Sequence, residues 1–199
     1  MNMDYPYNII FAGVGGQGNV IAGRVLAKAV QLEELRPVVG ETFGASRRGG
    51  SVFTHIRVWD KDASPLVPKG TLNLLIGLEP IESLRASVKF AGSDTIAILS
   101  KTPIYSSNVH RGTEHYPDVE RIVAIHQKIC MKVIAIDTDK ILRSIDAFRS
   151  LNVLLIGVMA GMRISPLSID SIRAALINVL GSSEKNLEAF DIGVSQTTQ

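Results

Sequence analysis

Two glycine-rich stretches hold the residues whose types and spacing suit ligand chemistry. The first, GVGGQG (13–18), sets Gly13, Gly15 and Gly18 at G-x-G-x-x-G spacing, with Gly16 between them. Glycines so placed between a strand and a helix let the backbone turn sharply and approach a diphosphate at the helix N-terminus. A tight strand-to-helix turn with no ligand accounts for the same pattern. Gln17 stands out, because a bare turn does not need the donor and acceptor of an amide. Glu41 follows Gly18 by 23 residues, about where a ribose-binding acid stands in a dinucleotide fold; a solvated loop acid explains it equally. The second stretch is GASRRGGS (44–51). Arg47 and Arg48 carry planar forks suited to phosphate and carboxylate. Gly49 and Gly50 free the chain to turn into the strand that starts at Ser51. Ser46 and Ser51 flank the cations without the base–orienter pair a nucleophile needs. If the second strand ends beside the first, as in doubly wound sheets, both stretches converge on one crevice. The plain alternative is two arginines on a solvated face.

Other candidates are weaker. His55, His110, His115 and His126 are scattered, with no H-x-x-x-H or H-E-x-x-H and no carboxylates at ligand spacing, so no metal site is expected. His55 alternates with Phe53 and reads as a packed strand residue rather than a proton shuttle. His110 and His115 flank a loop that could order against a partner. Cys130 ends an apolar helical stretch and resembles a small core residue. Glu79-Pro80 closes a buried strand at the edge where α/β ligands bind; equally, it starts a helix, with proline in the first turn and an acid on the dipole.

The positioning elements follow from periodicity. Short apolar runs at 7–13, 37–41, 51–59, 71–78, 94–100 and 132–138 read as strands. Helical spacing marks 19–32, 79–90, 119–130, 139–149 and 151–163, and Ser168 caps a last helix over 169–180 with Asp170 in its first turn. Residues 101–120, polar and holding two prolines, form an irregular excursion and the expected mobile segment. The alternation predicts an α/β fold: a Rossmann-like, mainly parallel sheet with helices on both faces, in a single domain.

Composition narrows the function. A chain of 199 residues can bury ~70% of its unfolded surface. A net charge of +2 provides no broad basic field, so neither nucleic acid nor a membrane surface is expected as partner. One cysteine allows no intramolecular disulfide and no cysteine-built zinc or iron–sulfur site, which fits a reducing, cytoplasmic setting. The N-terminal MNMDYPYN lacks the features of a secretory signal. The longest apolar run, 151–162, is shorter than the ~20 residues of a membrane span and reads as a buried helix.

In combination, GVGGQG, GASRRGGSVFTHIR, SPLVPKGTLNLLIGLEPIESLRA (64–86), NVLLIGVMAG and the C-terminal NLEAFDIG resemble the gamma domain of 2-oxoacid:acceptor oxidoreductases, nearest the small subunit of indolepyruvate:ferredoxin oxidoreductases. The resemblance covers essentially the whole chain. It matches Arg48 to the family arginine and puts Arg47 where glutamine is usual. It implies a part of a complex that cleaves 2-oxoacids oxidatively with thiamine diphosphate, passes electrons through iron–sulfur clusters to ferredoxin and yields an acyl-coenzyme A. Cluster and thiamine diphosphate would sit on a larger partner subunit, since this chain has one cysteine and no recognisable thiamine motif. Coenzyme A would be shared, and the isolated chain is expected to be inactive and to self-associate, as a dimer. Two other readings stay open: a free-standing NADP-dependent Rossmann oxidoreductase, and a ligand-free interaction module.

Overall fold

The computed structural model describes residues 6–45 and 49–196. Its chain order is β1 (Tyr7–Val14), α1 (Asn19–Leu32), β2 (Arg36–Phe43), β3 (Ser51–Trp59), β4 (Leu72–Gly77), α2 (Pro80–Phe90), β5 (Ala91–Ser100), α3 (Ser107–His110), α4 (Val119–Ile129), β6 (Lys132–Ile136), α5 (Thr138–Ser144), α6 (Leu151–Met162), α7 (Ile169–Leu180) and α8 (Glu184–Ser195). The strands form one sheet in the order β2-β3-β1-β4-β5-β6. β1, β4, β5 and β6 pair in parallel, while β3 lies antiparallel between β2 and β1.

Side chains alternate across the sheet as the pleat requires. Ile9 and Phe11 of β1 enter a core shared with α1, α5, α6, α7 and α8. Ile10 and Ala12 face the opposite layer, where they meet Ala86 and Phe90 of α2. Helices therefore cover both faces, as the sequence predicts. No helix among the described residues is long and apolar enough to cross a membrane.

Helix α6 is apolar on nearly all sides, with Asn152 through Ala160 all buried, and needs a cover on its outer face. That cover is α8. The two helices cross so closely that a Cβ on Gly157 would stand 2.3 Å from the Phe190 carbonyl oxygen, and one on Gly193 2.2 Å from that of Leu154. The sequence analysis assigns α8 no helix, because its charged residues mask a narrow buried face of Ala189, Phe190 and Gly193. The expected helix over 139–149 is shorter, ending at Ser144, and the strand expected to reach 138 stops at Ile136, where Asp137 caps α5 instead.

The main departure is β3. The expectation of consecutive parallel strands puts β2 beside β1; a hairpin instead folds β3 back into that place. The connection is only 44–50, too short for the crossover of a dozen or more residues that a parallel return requires.

Candidate functional site

The glycine loop sits at the carboxyl edge of the sheet, between β1 and α1. Gly18 ends it in the left-handed region, φ 83°, and is the N-cap of α1 without a side chain to cap it. A Cβ at Gly18 would also stand 2.6 Å from Asn152 Nδ2. Gln17, read as a residue for an outside ligand, is committed to the fold. Its Oε1 accepts from the Val14 N–H at 2.8 Å, and its Nε2 donates to the Leu78 carbonyl at 2.9 Å. The amide thus ties the ends of two neighbouring parallel strands. Gly13 leaves room for it, since a Cβ there would lie 2.5 Å from Gln17 Oε1.

The hairpin after β2 does meet the glycine loop. The Gly15 N–H donates to the Gly50 carbonyl at 2.9 Å, and the Gly49 N–H to the Gly15 carbonyl at 3.3 Å. The two stretches meet because antiparallel β3 starts at the edge where parallel β1 ends, but they do not share the single crevice expected: Gly16 to Gly18 line one crevice, and Gly49 and Gly50 line the other. Ser51 pairs with Val14. Ser46, Arg47 and Arg48 lie outside the described residues. Glu41 is exposed, pairs with Thr54 inside β2, and is separated from β1 by a whole strand. A ribose-binding role for Glu41 at the carboxyl end of an adjacent second strand is therefore corrected.

Two crevices of the same size, each about 540 Å³, flank the loop. The glycine-side crevice lies between Gly16–Gly18, Thr102 and Ile104 after β5, Thr138, and the start of α6 at Leu151–Val153. Asn152 Nδ2 donates to the Gly18 carbonyl at 3.2 Å, which holds the α6 N-terminus against that of α1. Neither N-cap residue caps its helix: Gly18 has no side chain, and Ser150, the N-cap of α6, turns its hydroxyl to Asn186 Oδ1 at 2.7 Å. In α6 the Val153 N–H is taken instead by Asn152 Oδ1 at 3.0 Å, while the first turn of α1 keeps N–H groups with no capping side chain at one end of the crevice. Buried Thr138 bonds with Ser100 and Thr102, which fixes the far wall. Exposed Arg149 and Phe148 stand at the mouth.

The glutamate-side crevice is lined by Gly49, Gly50 and Ser51, by Glu79, Glu82 and Arg85 of the α2 entrance, and by residues 104–116. Glu79 is 2% exposed and caps α2, its Oε2 accepting from the Glu82 N–H at 2.9 Å. The helix-start reading of Glu79-Pro80 is right, yet the same carboxylate faces the crevice. Its Oε1 accepts from the Tyr116 hydroxyl at 2.5 Å. Burial, then the Glu79 bond and charge, push the Tyr116 phenol well above its ordinary range, so the proton stays on the tyrosine. The stretch expected as an irregular excursion is irregular apart from the single turn of α3, and Tyr116 straps it to the body. Tyr105 packs edge-on against both Tyr116 and His110.

The remaining sequence candidates are structural. His55 is fully buried; its Nδ1 accepts from the Val67 N–H at 3.3 Å, and Phe90 packs edge-on against its ring. Burial, aided by the Lys89 charge, pushes it down to about 4. Arg57, two residues on, donates to Asn8 Oδ1 and the Ser64 carbonyl, each at 2.9 Å, so the strand's His and Arg hold the SPLV segment (64–67) in place. Buried His126 bonds the Ile122 carbonyl of its own helix, and Cys130 is a core residue whose thiol burial pushes up. Sequence reasoning missed Asn152, Thr138, Glu82 and Tyr116. Asn152 gave one signal, a polar residue at the head of an apolar helix; Tyr116 gave none.

A mixed sheet of this order, with a glycine loop tied to a hairpin, defines an α/β domain of the gamma-subunit type. It matches the gamma subunit of a keto/oxoacid ferredoxin oxidoreductase from Geobacter sulfurreducens with TM-score 0.67 at 18% identity, over 96% of this chain and 98% of that one. It also matches 32% of the longer chain of 2-oxoglutarate:ferredoxin oxidoreductase from Magnetococcus marinus, with TM-score 0.71 at 22% identity over 98% of this chain. In sequence it is 34% identical to indolepyruvate oxidoreductase subunit IorB of Archaeoglobus fulgidus, over 95% of this chain and 94% of the relative. Subunit IorB of Pyrococcus horikoshii is 31% identical over 94% of each. The profile described as pyruvate ferredoxin/flavodoxin oxidoreductase matches residues 8–196, and the chain belongs to that family.

Proposed function

We propose that this chain is the small subunit of an indolepyruvate-type 2-oxoacid:ferredoxin oxidoreductase, and that it helps form the coenzyme A and substrate region of the complex. The similarity to indolepyruvate oxidoreductase subunits over nearly the full length of both chains supports the subunit assignment. With a single cysteine, this chain cannot supply the thiolates of a four-iron cluster, so the clusters and thiamine diphosphate belong to a larger partner. The observation that carries a ligand role is the pair of helix N-termini held together at the glycine-side crevice by the Asn152–Gly18 bond, with that of α1 free of any side-chain cap. Their first-turn N–H groups and aligned dipoles favour a phosphate, and coenzyme A carries several. The Gly15–Gly50 bond ties Gly50, two positions after Arg48 in the sequence, to the same loop.

The chain alone should be colourless and inactive toward indolepyruvate. Reconstituted with the larger subunit, Arg48→Ala should raise the coenzyme A KM by ~10–100-fold, the value of a charge-assisted contact, and Arg47→Gln should change it least. Stoichiometric iron in the isolated chain would refute the subunit assignment. Normal coenzyme A kinetics for Arg48→Ala would refute the arginine contact while leaving that assignment standing.

A further inference from the structure

Resting on this reading of the chain as a subunit, we propose that the glutamate-side crevice is a socket for a guanidinium of the larger partner, an arginine side chain inserted beside Glu82. Glu82 lines the crevice with its side chain only 8% exposed. Its Oε1 takes Arg85 at 2.7 Å, but its buried Oε2 has no hydrogen-bond partner among the described residues. A carboxyl oxygen removed from water and left without a hydrogen-bond partner is costly, and such a group calls for a partner absent from the free chain.

The surroundings define that partner's chemistry. Glu79, buried and likewise ionisable, lies one helical turn before Glu82, and Glu114 lines the same space. Against these three acids the lining offers, among the described residues, one permanent cation, Arg85, whose side chain is 62% exposed. A phosphate or a 2-oxoacid is repelled here. The α2 N-terminus gives no relief, because Glu79 already caps it. A planar fork fits better than an ammonium, because it presents several donors in one plane to a group of carboxylates. The rim points to a protein rather than a small cation. Ile104 and Tyr105, 43% and 47% exposed, stand on the strap over the acidic floor. A desolvated charge beneath an apolar lip is the pattern of an interface anchor.

The test measures the affinity of the larger subunit for this chain, together with the melting temperature of the chain alone. Glu82→Gln should weaken assembly by ~10–100-fold, while the isolated chain melts at the same temperature or higher, because a charge without a partner has been removed from a buried position. Arg85→Ala frees the other oxygen and should leave assembly intact or tighten it. Ethylguanidinium should compete with assembly at concentrations where sodium chloride of equal ionic strength does not. Unchanged affinity for Glu82→Gln overturns the socket and leaves the subunit assignment standing. A melting temperature that falls along with affinity also overturns it, making Glu82 a folding residue. A wild-type chain that does not bind the larger subunit overturns both.

Discussion

The two crevices are equal in size and share one wall, yet they are opposite in charge preference. The difference lies in how their helices begin. α1 starts at Gly18 and α6 at Ser150, neither of which caps its helix, so positive helix ends face the glycine-side crevice. α2 starts at Glu79, whose carboxylate fills that role and then leaves negative charge toward the glutamate-side crevice. At α1 and α2 the same local geometry, a strand's carboxyl end running into a helix, thus gives an anion-seeking site or a cation-seeking one according to a single N-cap residue. What a crevice at this edge binds cannot be inferred from its position in the fold alone.

The comparison breaks most completely if its common wall is removed. Gln17→Leu leaves the Val14 N–H and Leu78 carbonyl without their partners and should cost about 2–4 kcal/mol in urea unfolding, with both crevices losing their ligands together. A stability loss under ~1 kcal/mol would show that water replaces the amide and that the wall is not built by Gln17.

Acid should separate the two layers. His55 and His126 are both buried on the glutamate side of the sheet, and burial lowers both, His55 from 6.5 to about 4. The fold holds His55 neutral, so its contribution is complete above pH 6.5 and is lost as pH falls from there toward 4. The loss amounts to roughly 2–3 kcal/mol for this group. Hydrogen exchange at pH 4.5 should show α2 and α4 opening before α1 and α6. Equal opening of both layers, or a pH-independent stability in His55→Asn and wild type alike, would exclude the histidine cause.

Tyr116→Phe sharpens the contrast at lower energy. It removes the one donor that straps residues 104–116 to Glu79, at a cost of about 1–2 kcal/mol. Limited proteolysis should cut within 104–116 faster, while coenzyme A protection of the glycine loop stays as it was. Protection lost equally at both crevices would mean that the strap supports the whole edge. The smallest effect is expected at the mouth of the glycine-side crevice. Arg149 is exposed there, so Arg149→Ala should weaken coenzyme A binding only severalfold, less at high salt, as calorimetry of the complex can measure. A hundredfold loss would make Arg149 a principal phosphate ligand and shift the site away from the loop.

Much of this was legible in the sequence, and the limits have physical causes. Period-two and helical patterns gave all six strands, most of the covering helices, the glycine loop and the buried character of α6, because burial acts on each segment locally. The caps at Glu79 and Ser168 could be read too, since a cap is decided within four residues. The antiparallel placement of β3 could not, because pairing partners are chosen by the whole sheet and SVFTHIRV fits either direction. α8 was hidden because its apolar face means little until α6 is there to receive it. Gln17 carried a true signal that pointed inward rather than outward: its polarity was needed, but by the ends of β1 and β4. Only the tertiary structure, by bringing Tyr116 to Glu79 across 37 residues and leaving Glu82 Oε2 without a donor among the described residues, decided that one crevice would be acidic while its neighbour kept the bare start of α1.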